Sequence, residues 1–321
     1  MRRVNLAVFV EQNVSREKNM TISDIPTADD FFTSGKELLD FSWDVVAKLL
    51  SDIDQAECYG VEPVEISDSY WSAAKRSLTT ALSITQQGVE FILKGEIAEV
   101  SPFLLIADVP TKWPSPYKGN GISFSEFRTI DAQDLVRVID TFAGEPLGTD
   151  FGKQFHRLRE KRNSIMHSVD KRLTVDVSEV VESLLFMHKE LFPTESWAAE
   201  RLKFLESAPD TELGAYEYAR NRVCWEMDLA IGLLQPAKVS KYFGIDKTQR
   251  RYKCPLCMRE ANTDAGFEHK LAVLRPKGPG SAQLYCPVCN ALYTVVREDC
   301  DQKSCPGNVL SDDGECLTCG G

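Results

Sequence analysis

The chain has 321 residues, 43% of them hydrophobic and 26% charged, which is the balance of a soluble globular protein with room for two or three domains. A net charge of −11 excludes a protein that coats nucleic acid over its whole surface. No apolar run approaches the roughly 18 to 20 residues of a membrane-spanning helix.

In chain order, Val4 to Val10 has the composition of a strand. Its apolar part, Leu6 to Val10, is shorter than the roughly 7 to 15 residues of a secretory leader core. The expected compartment is therefore the cytosol, where close cysteine pairs are metal ligands more often than disulfides. From about 34 to 52, Leu38, Leu39, Val45, Val46, Leu49 and Leu50 recur at helical spacing behind a Ser34 cap. A longer helix is expected from about 68 to 95, with Trp71, Ala74, Leu78, Leu82, Val89, Ile92 and Leu93 on its apolar side and Gly88 as a mild weakness. Residues 96–123, with four prolines, are expected to be a long connection holding one apolar patch, Phe103 to Ile106. Further helices are expected near 124–143, 150–168, 176–192, 195–207 and 211–234, the last closed by Pro236. From 246 the character changes: Pro and Gly become frequent and short β-type runs appear, such as Leu292 to Val296.

Eight of the ten cysteines lie in this last part, as the pairs Cys254/Cys257, Cys286/Cys289, Cys300/Cys305 and Cys316/Cys319. A two-residue gap lets one tight turn present two thiolates to one ion, and two such turns complete a tetrahedral site. Eight ligands therefore imply two zinc ions. Cys254-Pro-Leu-Cys257 and Cys286-Pro-Val-Cys289 share the C-P-x-C form and resemble zinc-ribbon knuckles. Asn290, after the second knuckle, suits the left-handed backbone that lets amides reach sulfur; Met258, after the first, suits it less. Spacing leaves open whether the knuckles pair in sequence or are cross-braced. With every ligand position taken by sulfur, the zinc is structural rather than catalytic. Cys58 and Cys224 stand alone and read as small core residues. His269 reads as a surface residue.

The chemistry is sought upstream. Lys153, Arg157, Arg159, Lys161, Arg162, Lys171 and Arg172 face only Glu160 and Asp170 over one short stretch, making a basic island in an acidic chain. Phe151, Phe155, Leu158, Ile165 and Val169 form a helical stripe whose missing member is Arg162. An arginine there needs a carboxylate partner, an interface or a ligand. The neighbouring stripe holds His156, Arg159, Asn163 and His167. Histidine suits proton transfer near neutrality, and an arginine fork suits a phosphate whose charge grows in the transition state. Together these are the groups that cut RNA through its own 2′-hydroxyl. One close histidine is too few for both acid and base, but a symmetric dimer brings two copies together.

The run Arg162-Asn163-Ser164-Ile165-Met166-His167 resembles the R-x4-6-H signature of HEPN domains. The segments Gly88 to Lys94 and Pro102 to Ile106 resemble the earlier long helix of that family. The resemblance covers roughly residues 65–195. It implies an all-α bundle, commonly dimeric and often a metal-independent endoribonuclease, with many members acting as toxins or antiphage defence effectors. On that basis Arg162 and His167 are expected to be catalytic, with Asn163 in support. The expected partners are an RNA substrate, a second copy, and an antitoxin or regulatory protein. His156 and His188 match no signature position.

The expected fold class is mainly α. An N-terminal segment with one helix (1–60) packs on a HEPN-like helical domain (61–195), followed by a helical extension (196–245) and a zinc-ribbon module (246–321). The competing function is a non-catalytic adaptor that binds nucleic acid or protein through the ribbons, with Arg250, Arg251 and Lys253 as cations and Tyr252 for stacking. Zinc-dependent hydrolysis is disfavoured, because no ligand cluster with an open position is visible.

Overall fold

The computed structural model describes residues 22–115, 121–142, 144–167, 174–214, 216–261 and 266–321. Val4 to Val10 lies outside them. The described chain is mainly helical, with a small strand region and two cysteine clusters at its C-terminal end. It divides into two compact units, Met1–Gly35 with Glu90–Gly148, and Lys36–Val89 with Thr149–Gly321.

Helix α1 (Ala28–Asp54) starts earlier than Ser34. Thr27 Oγ1 accepts from the Asp30 amide at 3.1 Å while Asp30 Oδ2 accepts from the Thr27 amide at 2.7 Å. This reciprocal cap begins the helix, and Ser34 sits inside it. Helix α2 (Pro63–Val100) overruns the expected 68–95 at both ends. Pro63 opens it at a position where a missing N–H costs nothing.

In the first unit, Gly95 of α2 lets α1 approach, since a Cβ there would lie 2.7 Å from the Phe32 ring. The Phe31 and Phe91 rings meet at 6.1 Å. The expected connection after α2 is built partly of short 3-10 turns at Pro102–Leu105 and Pro110–Lys112. Strands β1 (Ile22–Ser23) and β2 (Ile122–Ser123) pair in parallel. Phe124 and Phe127 are buried, and Trp113 packs edge-on against Phe127. Helix α3 (Ala132–Phe142) starts later than expected, because the capping box of Ser123 and Glu126 initiates only a 3-10 turn.

In the second unit α1 and α2 pack antiparallel. Ser42 Oγ donates to the Ala81 carbonyl at 2.9 Å and Tyr70 donates to the Leu49 carbonyl at 2.8 Å. The expected stripes are buried at Leu39, Val46, Leu50, Ala74, Leu78, Leu82 and Val89. Helices α4 (Thr149–His167), α5 (Val177–Leu191), α6 (Trp197–Glu206) and α7 (Tyr216–Leu233) follow. Beyond α7, Pro236 is the first residue of a further helix that its expected role as a terminator does not announce, α8 (Pro236–Phe243). Arg201 of α6 lies at the centre of a buried ionic knot. It reaches Asp40 and Asp44 of α1 and Glu226 of α7, and Glu226 also accepts from Trp43 Nε1 at 2.9 Å.

The C-terminal module opens with α9 (Pro255–Glu260) and continues as a three-stranded antiparallel sheet. Its strands β3 (Val273–Leu274), β4 (Gln283–Cys286) and β5 (Ala291–Thr294) lie in the order β3-β4-β5. Ser196 Oγ ties the module to the helices by donating to the Pro287 carbonyl at 2.6 Å. Cys224 is buried in α7 as expected, but Cys58 is exposed. It sits in the surface turn Ala56–Tyr59, where only Ala56 is buried and Gly60 reverses the chain at φ 73°.

Candidate functional site

The eight C-terminal cysteines gather into two groups, Cys254/Cys257/Cys286/Cys289 and Cys300/Cys305/Cys316/Cys319. In each, the four sulfurs all lie within 4.8 Å of one another. The knuckles pair in sequence and are not cross-braced. A regular tetrahedron of sulfurs about 2.3 Å from its centre has edges of about 3.8 Å. The Sγ–Sγ separations are 3.7, 3.8 and 3.5 Å for Cys254–Cys289, Cys257–Cys286 and Cys257–Cys289. They are 3.8 Å for both Cys300–Cys319 and Cys305–Cys316. These are metal-site distances, far beyond the roughly 2.05 Å of a disulfide. The donor sets fit two tetrahedral soft-ligand ions.

Local sequence explains the geometry. Pro255 starts α9 inside the first knuckle, so Cys257 rises from its first turn and Met258 continues the helix with no left-handed residue. The second knuckle is the β4–β5 turn, and there Asn290 takes φ 49° as its residue type suggests. In the second cluster Gly307 is required: a Cβ there would lie 2.6 Å from Cys316 Sγ and 2.9 Å from Thr318 Cβ.

The cysteine pattern does not reveal what surrounds the first cluster. Arg220, on α7 and 9% exposed, donates to the sulfurs of Cys289 at 3.6 Å and Cys257 at 3.9 Å. It also pairs with Glu260, and with Glu206 at 3.8 Å. Cys224 lies one turn along α7, and the influence of its thiol, together with burial, pushes the Cys257 thiol well up. A cation entering the cluster must displace such protons. The available signal is the i, i+4 spacing of Arg220 and Cys224, which puts a cation and a thiol on one helix face.

The basic segment before the first knuckle is bonded within the protein, with Arg250 exposed. Tyr252 and Lys253 are each 4% exposed. Arg250 reaches the Pro306 carbonyl at 3.2 Å, Arg251 reaches Asp228 at 2.6 Å, and Lys253 reaches the Cys319 carbonyl at 3.3 Å. With its ring buried, Tyr252 offers no face on which a base could stack. His269 is half-buried against the Phe267 ring rather than fully at the surface.

The upstream candidates share α4. Phe151, Phe155 and Leu158 are buried as the stripe predicts, and Ile165 is half-buried. Arg162 and Asn163 are half-buried, and Arg162 Nη1 donates to Asn163 Oδ1 at 3.3 Å. His167 is the last residue of α4; its side chain lies outside the described residues, as do Val169, Asp170, Lys171 and Arg172. Part of the basic island is neutralised across the α4–α5 contact. Arg157 and Lys161 both reach Glu179, beside a 230 Å³ cleft lined also by Asp176, Lys238 and Tyr242. His156 is exposed and lies 3.1 Å from both Glu160 and Arg159. His188 is buried against Phe192 and Trp197, with its Nε2 3.5 Å from Glu195. Burial pushes its imidazole below the usual range and favours the neutral ring.

Among the described residues, no helix is long and apolar enough to cross a membrane. No family model, no curated protein and no solved structure matches the chain.

Proposed function

We propose that this protein is a HEPN-type endoribonuclease whose chemistry resides at the C-terminal end of α4 and whose two cysteine clusters bind zinc outside the reaction. The observation that carries the reading is the Arg162–Asn163 hydrogen bond of 3.3 Å on a half-buried helix edge, one turn before His167. A half-buried guanidinium steadied by an amide is suited to receive an anion.

The reaction needs no metal. The 2′-hydroxyl of the RNA attacks the adjacent phosphorus, and a base takes its proton. The P–O5′ bond breaks, and an acid protonates the leaving 5′ oxygen. The products are a 2′,3′-cyclic phosphate and a free 5′-hydroxyl. Arg162 neutralises the phosphate oxygens as charge accumulates on them, Asn163 orients Arg162, and His167 moves the proton. A homodimer supplies the second histidine. The zinc clusters complete the C-terminal module without entering the reaction. A cytosolic setting, with an antitoxin or regulatory protein restraining the enzyme, accords with this chemistry.

The adaptor alternative has less support, because Tyr252 and Lys253 are buried and Arg251 is paired with Asp228. The test is cleavage of total cellular RNA by zinc-loaded protein. Wild type should cut, while His167→Ala and Arg162→Ala should each lose at least about a hundredfold in rate without losing zinc. Equal cutting by His167→Ala would remove the reading.

A further inference from the structure

The two clusters have the same four thiols and very different surroundings. In the first, Cys254, Cys257 and Cys286 are at most 2% exposed. Arg220 closes over two of its sulfurs and is anchored by Glu260 and Glu206. In the second only Cys316 is buried; Cys300, Cys305 and Cys319 are half-exposed. Arg250 and Lys253 approach it, but they reach the Pro306 and Cys319 carbonyls and not the sulfurs. The loop from Glu298 to Glu315 carries Glu298, Asp299, Asp301, Asp312, Asp313 and Glu315, all exposed, against one exposed cation, Lys303.

A tetrathiolate site gives up its ion when a competing ligand reaches the metal and takes it sulfur by sulfur. Burial keeps that ligand out, and a guanidinium donating to two sulfurs holds them in place and offsets part of their negative charge. The first cluster has both protections. The second has three half-exposed cysteines where the first has one, Cys289, and, among the described residues, no arginine or lysine donates to any of its sulfurs.

We propose that the second cluster is an exchangeable binding site for a thiophilic divalent cation such as zinc, whereas the first cluster holds its ion for the lifetime of the fold. The proposal rests on the tetrathiolate geometry and is independent of any ribonuclease activity.

The test uses the full chain loaded with two equivalents of zinc and challenged with the chromogenic chelator 4-(2-pyridylazo)resorcinol. Release should be biphasic, one equivalent per phase, with rates separated by at least about tenfold. Cys305→Ser should abolish the fast phase alone. Arg220→Gln should accelerate the slow phase by about tenfold or more and leave the fast one unchanged. Wild-type protein loaded with cadmium-113 answers the question with no substitution. Of its two resonances, the one coupled to the β-protons of Cys300, Cys305, Cys316 and Cys319 should vanish first as zinc is added. Release in a single phase, or earlier loss of the resonance coupled to Cys257, would overturn the proposal.

Discussion

Arg201 Nε donates to Glu226 Oε2 at 2.9 Å, and the two residues are 1% and 3% exposed. This pair joins α6 to α7, and through Asp40 and Asp44 it joins both to α1. Removing one partner strands the other charge in the interior. Arg201→Ala should therefore destabilise the protein by about 3 to 5 kcal/mol. Arg201→Met combined with Glu226→Leu should recover a large part of that loss. Urea unfolding midpoints with an unchanged slope measure both, and additive losses in the double variant would contradict the pairing.

Asp40 gives the same knot a pH dependence. Burial raises its carboxyl to about 6 from 3.8, against the pull of Arg201 and with the help of Asp44 and Glu226. The folded state thus binds this proton more tightly than the unfolded state does. The stabilising contribution is full below the unfolded value and is lost as pH rises through about 6. Between about pH 4 and 6.5, wild type should lose stability relative to Asp40→Asn by about 1 to 3 kcal/mol. Glu195 acts oppositely: His188 and Lys36 hold it down at about 2, so its contribution is lost as pH falls from 4.5 through that value. Parallel stability curves for wild type and Asp40→Asn would refute the assignment.

Removing the metal should dissolve the C-terminal module selectively. A helix of 6 residues and strands of 2 to 4 residues hold little structure by themselves. Cys286→Ser should abolish protection of β3 to β5 in hydrogen exchange while leaving α1 and α2 protected. Retained protection in β4 would count against a metal-stapled module.

Gly307 should tolerate no side chain. The 2.6 Å approach to Cys316 Sγ forces backbone or ligand to move. Gly307→Ala should weaken zinc binding at the second cluster by about 10- to 100-fold and spare the first. Isothermal titration reads this directly, and two unchanged binding events would show that the close approach is relieved at no cost.

Much of this architecture is legible in local pattern. The eight ligands, the left-handed Asn290 and the buried stripes of α1 and α2 each follow from residue type at a fixed spacing. What escapes has its cause at long range. Arg220 cannot be inferred from knuckle spacing, because α7 meets the first cluster only in the folded chain. The same holds for Tyr252: a basic run with an aromatic looks like a nucleic-acid surface until the backbone of Tyr252 pairs with Ala272 and its ring turns inward. Helix ends depart from the hydrophobic period where a cap outweighs it, as at Thr27, or where a proline starts a helix instead of only ending one, as at Pro236.

The most direct measurement of the ribonuclease account is the chemistry of the RNA ends produced by the zinc-loaded full chain, with His167→Ala beside it. Cleavage should leave 2′,3′-cyclic phosphate and 5′-hydroxyl ends, persist when magnesium is withheld, and vanish in the variant. Ends bearing a 5′-phosphate, or cleavage that survives His167→Ala, would contradict the assignment of the chemistry to the end of α4.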